Sequence, residues 1–261
     1  MIPSLPFTTL NEFMAFIVVL GRIAGIFSSI PLFGGRTVSN QIKVVTIFAM
    51  TLVLYPVVSS RIPPLPAATI PLGLLVVRET LVGLSLGLLS QIIFAAVEFC
   101  GQLVSIQTGL SIATQFDPTA GTQFSSLAIL QNLLAMLLFM ALGVHHVFIR
   151  AIVESYQLIP VGGWHVTGEL VQFFTTAVAQ VFILGIKLAG PVMAALLATS
   201  VVLGIMARAF PQMNVFLVSM PLNIGLGFLM LGLSIMVFTR TLEHSFASIP
   251  VEIKTLFKLL G

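Results

Sequence analysis

The sequence predicts an all-α, polytopic membrane protein of about six hydrophobic helical segments, arranged as helical hairpins with some members kinked or tilted. Three observations carry that reading. Hydrophobic residues make up 58% of the 261 positions and charged residues only 7%, against about a quarter charged in soluble domains. The mean hydropathy is +1.14. The apolar runs approach the ~20 residues that cross about 30 Å of hydrocarbon, and they lack the polar alternation of membrane β-strands. Helices are the element that pairs every backbone group within one such run.

The runs cover residues 13–33, 42–58, 70–97, 127–149, 171–206 and 215–238. No basic leader precedes the first, since the first cation is Arg22, and no small-residue cleavage site follows it, so it is expected to stay as a span. Gly34 and Gly35, with Thr37, Ser39 and Asn40 behind them, end the first run. The Pro-rich stretch 61–71 separates the second from the third by a stiff, extended connection. The third run is too long for one perpendicular helix, so it is expected to tilt or to bend at Gly83 and Gly87. The fifth is also too long and holds Lys187 and Pro191, where a kink or split is expected. Longer polar breaks at 100–126 and 150–169 divide the chain loosely into two halves without a repeat between them. Beyond the last run, Ile253, Leu256, Phe257 and Leu260 fall at i, i+3, i+4 and i+7. With Pro250 as a first-turn residue, they predict a short amphipathic helix that lies on a membrane surface or docks on a partner helix.

Composition also excludes function classes. The net charge of +3 comes from cations and anions scattered along the chain, with no basic block to follow a phosphate backbone, so no nucleic-acid partner is expected. A single cysteine, Cys100, rules out an internal disulfide and a cysteine zinc site, and reads as a small buried hydrophobe. His145 and His146 are adjacent, about 100° apart on a helix, with no third ligand at i+3 or i+4, so no metal is expected; one of them is expected to cap or hydrogen-bond near a span end. There is no phosphate-binding glycine loop, nucleophile elbow or zinc-protease pair of histidines. No catalysis and no cofactor is expected.

Several ionisable groups lie within or beside the runs: Arg22, Lys43, Arg78, Glu79, Glu98, Lys187 and Arg208. A charge at mid-span costs about 2.5–3.5 kcal/mol on insertion scales, so these groups are expected to pair between helices or subunits rather than face lipid. Gly21 with Gly25 and Gly83 with Gly87 have the spacing that permits close helix approach, a pattern that chance alone also produces at this glycine content. The loop cations do not set an orientation: Arg36, Lys43 and Arg208 fall on one side, and Arg61, Arg150, Arg240, Lys254 and Lys258 on the other.

The stretch 101–126 stands out. Fifteen of its twenty-six residues are Gly, Ser, Thr or Gln, it has no Lys or Arg, and Asp117 is its single charge. A loop in bulk water usually carries charges of both signs, and one in lipid would leave backbone groups unpaired. A cavity or pore inside protein is the environment that remains.

The run GLSIATQFDPTAG at 109–121, preceded by Ser105 and Gln107, and the run PQMNVFLVSMPLNIGLG at 211–227 resemble the two signature segments of the FliR family. That family belongs to the export gate of the bacterial flagellar type III secretion apparatus and has relatives, the SctT proteins, in virulence systems. The resemblance extends over essentially the whole chain.

It implies a non-enzymatic gate subunit in the bacterial inner membrane, at the flagellar basal body, assembled with FliP-like and FliQ-like subunits and joined by a FlhB-like one. Unfolded flagellar proteins would be the cargo. Residues 1–126 would form a FliP-like half and 127–261 the remaining helices, with a FliQ-like hairpin and the amphipathic tail. The segment 106–122 would be the plug of the closed pore, with Gly109 and Gly121 as bends, Asp117 and Pro118 as a turn, Phe116 as an apolar stopper, and Ile106, Leu110 and Gln115 beside them. The competing expectation is a secondary transporter or channel for a small solute. That would need inverted repeats and matched broken helices, and the Pro191 break is the one feature that fits it.

Overall fold

A computed structural model describes residues 9–34, 38–63, 65, 69–111, 126–212 and 214–261. Among them there is no strand. The elements are α1 (Leu10–Ser29), the single turn α2 (Pro31–Gly34), α3 (Asn40–Val58) with a 3-10 turn (Ser59–Arg61), α4 (Thr69–Thr108), α5 (Ser126–Ala141), α6 (Val144–Leu158), α7 (Gly168–Ala209) and α8 (Val215–Leu260). Five helices are long and apolar enough to cross a membrane, and the pair α5 and α6 makes a sixth candidate bent by 62°. The all-α polytopic class and the six predicted runs are therefore present.

Helix ends follow local chemistry. Thr9 and Glu12 form a capping box at the start of α1, each side chain satisfying the other's backbone N–H. Ser39 caps α3 through the Ile42 N–H.

Four expectations about the runs need correction. The third run does not stop at Val97: α4 continues as one helix of 40 residues to Thr108, taking the first turns of the polar stretch with it. The fifth run is not split, because α7 passes through Pro191 as one helix of 42 residues. The fourth run is two helices, because Gly143 adopts the left-handed conformation (φ 66°) between them. The tail is not a separate helix beginning at Pro250; it is the last part of α8, which runs 46 residues. Its stripe of Ile253, Leu256, Phe257 and Leu260 is buried within the chain itself rather than laid on a membrane surface.

The fold divides into two compact units. Unit 1 comprises Met1–Ile92, Phe139–Ala177 and Phe246–Gly261, and unit 2 comprises Ile93–Leu138 and Val178–Ser245. The core of unit 1 is built on α1, whose Val18, Val19, Ile23 and Ile26 are fully buried, with Leu86, Phe148, Ile152, Phe246 and Leu256 from other elements. In unit 2 Val97, Cys100, Val104, Ala128, Ala135, Val192 and Leu196 fill the interior. The most apolar windows of α7 and α8 are only 28% and 17% buried, so most of that surface faces lipid or another chain.

Candidate functional site

Each unit gathers polar side chains away from solvent. In unit 2 the gathering lies at the root of the polar segment. The last turns of α4 carry Cys100, Ser105 and Thr108 into the interior, all with 1% exposure or less. The Thr108 hydroxyl donates to the Ser105 carbonyl at 3.1 Å. Gly109 then takes φ 82° and donates its N–H to the Ile106 carbonyl, a left-handed residue at the point where the chain leaves the helix.

The same root is gripped from two sides. A Cβ on Gly101 would overlap the backbone of Ala128 in α5, and a Cβ on Gly227 in α8 would lie 2.5 Å from the Thr108 Cγ2. Gly101 therefore packs on the Ala128 backbone and Gly227 on the Thr108 side chain, and the two contacts hold the start of the segment firmly. The contact joins the residue before one signature run, Thr108, to the last residue of the other, Gly227. The side chains of Ser105, Gln131 and Asn223 each hold a buried oxygen without a partner among the described residues. An unsatisfied buried group costs about 1–3 kcal/mol.

Gly227→Ala is expected to cost about 1–3 kcal/mol by overpacking, and Thr108→Ser, which removes the obstructing methyl, is expected to rescue it. The readout is thermal exposure of the lone buried thiol, Cys100, to a maleimide dye in detergent. A Gly227→Ala protein as stable as the parent would refute the contact.

In unit 1 the centre is Arg22. It is fully buried, and its Nε donates to Glu79 Oε2 at 2.6 Å. Nη1 donates to the Ser155 hydroxyl at 3.1 Å and Nη2 to the Ile159 carbonyl at 3.4 Å, while the Tyr156 ring lies 4.0 Å from the guanidinium carbon. The second Glu79 oxygen accepts the Gly162 N–H at 2.9 Å. Arg78, next in sequence but exposed, donates to the Gly162 carbonyl and receives the Trp164 indole N–H on its own carbonyl. Both backbone groups of Gly162 are thus held by adjacent residues of α4. Gly162 is favoured as glycine by its φ of 73°, and Leu75 Cδ1 stands 2.6 Å from where a Cβ would be.

The ion pair sits beside a close helix crossing. A Cβ on Gly25 would strike the Thr80 carbonyl and lie 2.8 Å from the Leu84 nitrogen, and one on Gly83 would strike the Arg22 carbonyl. The two small-residue pairs face one another, and α1 and α4 cross backbone to backbone.

The remaining sequence-predicted residues are dispersed. Lys43 donates to the Gly34 carbonyl at 3.3 Å. Glu98 is half-buried on α4, and Lys187 and Arg208 are exposed on α7. Of the plug residues, Ile106 is 63% exposed on the last turn of α4, Gly109 forms the bend, and Leu110 follows half-buried. Gln115, Phe116, Asp117, Pro118 and Gly121 lie outside the described residues. His145 and His146 open α6 with rings 4.0 Å apart; His145 Nδ1 is buried without a partner among the described residues, and no group of three metal-ligating side chains gathers among those residues. Sequence reasoning missed Ser155, Tyr156, Gly162 and Gly227. Only the glycines left a trace, one in a Pro-Val-Gly-Gly turn and one at the end of a signature run.

Comparison with known proteins places this arrangement. The family model described as bacterial export proteins, family 1, matches residues 13–249. The chain is 31% identical to the flagellar biosynthetic protein FliR of Bacillus subtilis, over 97% of this chain and 98% of that one. It is 31% identical to the FliR protein of Pectobacterium carotovorum over 87% of each chain, and 29% identical to that of Escherichia coli, again over 87% of each. With matches that span both signature runs and every long helix, the chain belongs to the FliR family and is an integral-membrane component of flagellar protein export.

Proposed function

We propose that this chain is a non-enzymatic gating subunit of the flagellar export gate, and that its segment 106–122 closes the export pore. The observation that carries the proposal is the pairing of a polar, nearly uncharged segment with a rigid root. Fifteen small or amide-bearing residues in twenty-six, with Asp117 as the single charge, suit a confined passage that excludes ions yet yields to a polypeptide. Fixed ion pairs there would hold the passage shut. The root at Thr108, gripped by Gly227, lets the segment move while its anchor stays in place.

The surrounding assembly follows from the same reading. The bare apolar faces of α7 and α8 are suited to FliP-like and FliQ-like neighbours, with a FlhB-like subunit joining the complex. Unfolded flagellar proteins are the cargo, and the bacterial inner membrane at the basal body is the location. Residues 1–126 act as the FliP-like half and 127–261 as the half holding the FliQ-like hairpin.

Replacing residues 110–122 by a short Gly-Ser bridge leaves the Thr108 anchor intact. In the assembled gate, reconstituted in planar bilayers, this deletion is expected to raise resting ion conductance well above that of the parent. Unchanged conductance in a fully assembled complex would reject the plug.

A further inference from the structure

Lys187 lies near the middle of α7, about 28 Å of helix from the nearer end, on a helix apolar enough to cross a membrane. It is exposed, and among the described residues no acceptor is recorded for it. Exposed apolar side chains share its face: Ile183, Val201 and Ile205 lie within about 40° of it at 100° per residue and are 45%, 63% and 64% exposed. A second polar need coincides with it. Pro191 has no N–H to donate to the Lys187 carbonyl, so this turn of α7 also offers an acceptor outside the helical ladder. Gly190 has open space where a Cβ would stand, and Ala194 and Ala198 follow on the Lys187 face, within about 20° of it at 100° per residue. A backbone can therefore come close beside the charge.

Lipid is a poor cover for this surface, because an uncompensated ammonium at mid-span costs about 2.5–3.5 kcal/mol or more. We propose that α7 docks an apolar helix of another membrane subunit, and that this helix carries an Asp or Glu whose carboxylate pairs with Lys187. The proposal rests on the chain's being one member of a hetero-oligomer, and is independent of the plug. It accounts for a cation beside exposed Ile183, Val201 and Ile205: the charge selects the partner and fixes its register, while the small residues set the approach.

The test uses the complete complex in native membranes. Dicyclohexylcarbodiimide activates carboxylates in apolar surroundings and lets a neighbouring amine form an amide. Peptide mass spectrometry is expected to find Lys187 joined to an acidic residue within an apolar segment of another subunit. Lys187→Arg should abolish that cross-link while preserving complex recovery. Lys187→Glu should lower recovery about tenfold or more, the loss expected when like charges meet in a desolvated contact, and Lys187→Met should fall between. Charge reversal of the cross-linked residue should restore the Glu variant. Full recovery of the Met and Glu variants would overturn the proposal, as would a wild-type complex that yields no cross-link. A Met variant that assembles fully but conducts ions differently would also overturn it, by placing residue 187 at a water-filled passage. Failure of any partner to co-purify with the wild-type chain would instead remove the hetero-oligomer premise.

Discussion

Glu79→Gln is expected to destabilise unit 1 by about 3–5 kcal/mol, the usual cost of stranding one member of a buried ion pair. The reason is in the inventory of bonds. Arg22 is fully buried, so without the carboxylate its charge faces neutral groups alone, namely the new amide oxygen, the Ser155 hydroxyl, the Ile159 carbonyl and the Tyr156 ring. The Gly162 N–H loses an anionic acceptor at the same time. The double variant Arg22→Met/Glu79→Leu removes both charges with similar volume and is expected to recover most of the loss, as apolar replacements of buried pairs often do. The measurement is thermal unfolding in detergent followed by the single tryptophan, Trp164, which hydrogen-bonds α4 within the same unit. A Glu79→Gln protein of parental stability would show that the pair adds nothing to the fold.

Gly83→Ala is expected to cost about 3 kcal/mol or more, the upper end of overpacking penalties. Alanine is normally the better helix former by about 0.5–1 kcal/mol, so local propensity predicts the opposite sign. The sign reverses because the new methyl would sit on the Arg22 carbonyl, a backbone atom that cannot rotate away. Gly73, on the same helix with open space around it, supplies the control: Gly73→Ala should be neutral or stabilising. Equal effects at the two positions, read by the same tryptophan transition, would contradict the backbone crossing of α1 and α4.

The two sets of residues differ in how they could be read from the chain. The small-residue pairs at Gly21/Gly25 and Gly83/Gly87 were visible as a spacing, but a spacing that chance also produces, and only their facing one another makes them a contact. Arg22 and Glu79 were visible as costly charges, yet 57 residues separate them, and a guanidinium's need for an acceptor does not say which acceptor. Ser155 and Tyr156 carried no signal, because hydroxyls are ordinary on membrane helices. Helix ends were misjudged where a single glycine ended a helix, as at Gly143, or where a proline did not, as at Pro191 and Pro250. In each case neighbouring packing, not local preference, set the outcome.

Class and element number were settled by composition and run length, because hydrocarbon demands a minimum length of internally bonded helix whatever its neighbours are. The unusual character of 101–126 was equally plain, since charge content is a property of the chain and needs no coordinates. Which helices touch backbone to backbone, which charge answers which, and that Thr108, just before one signature run, packs on Gly227 at the end of the other depended on three-dimensional packing. Those are relations between surfaces distant along the chain, and steric fit and desolvation act on them only once the helices are side by side.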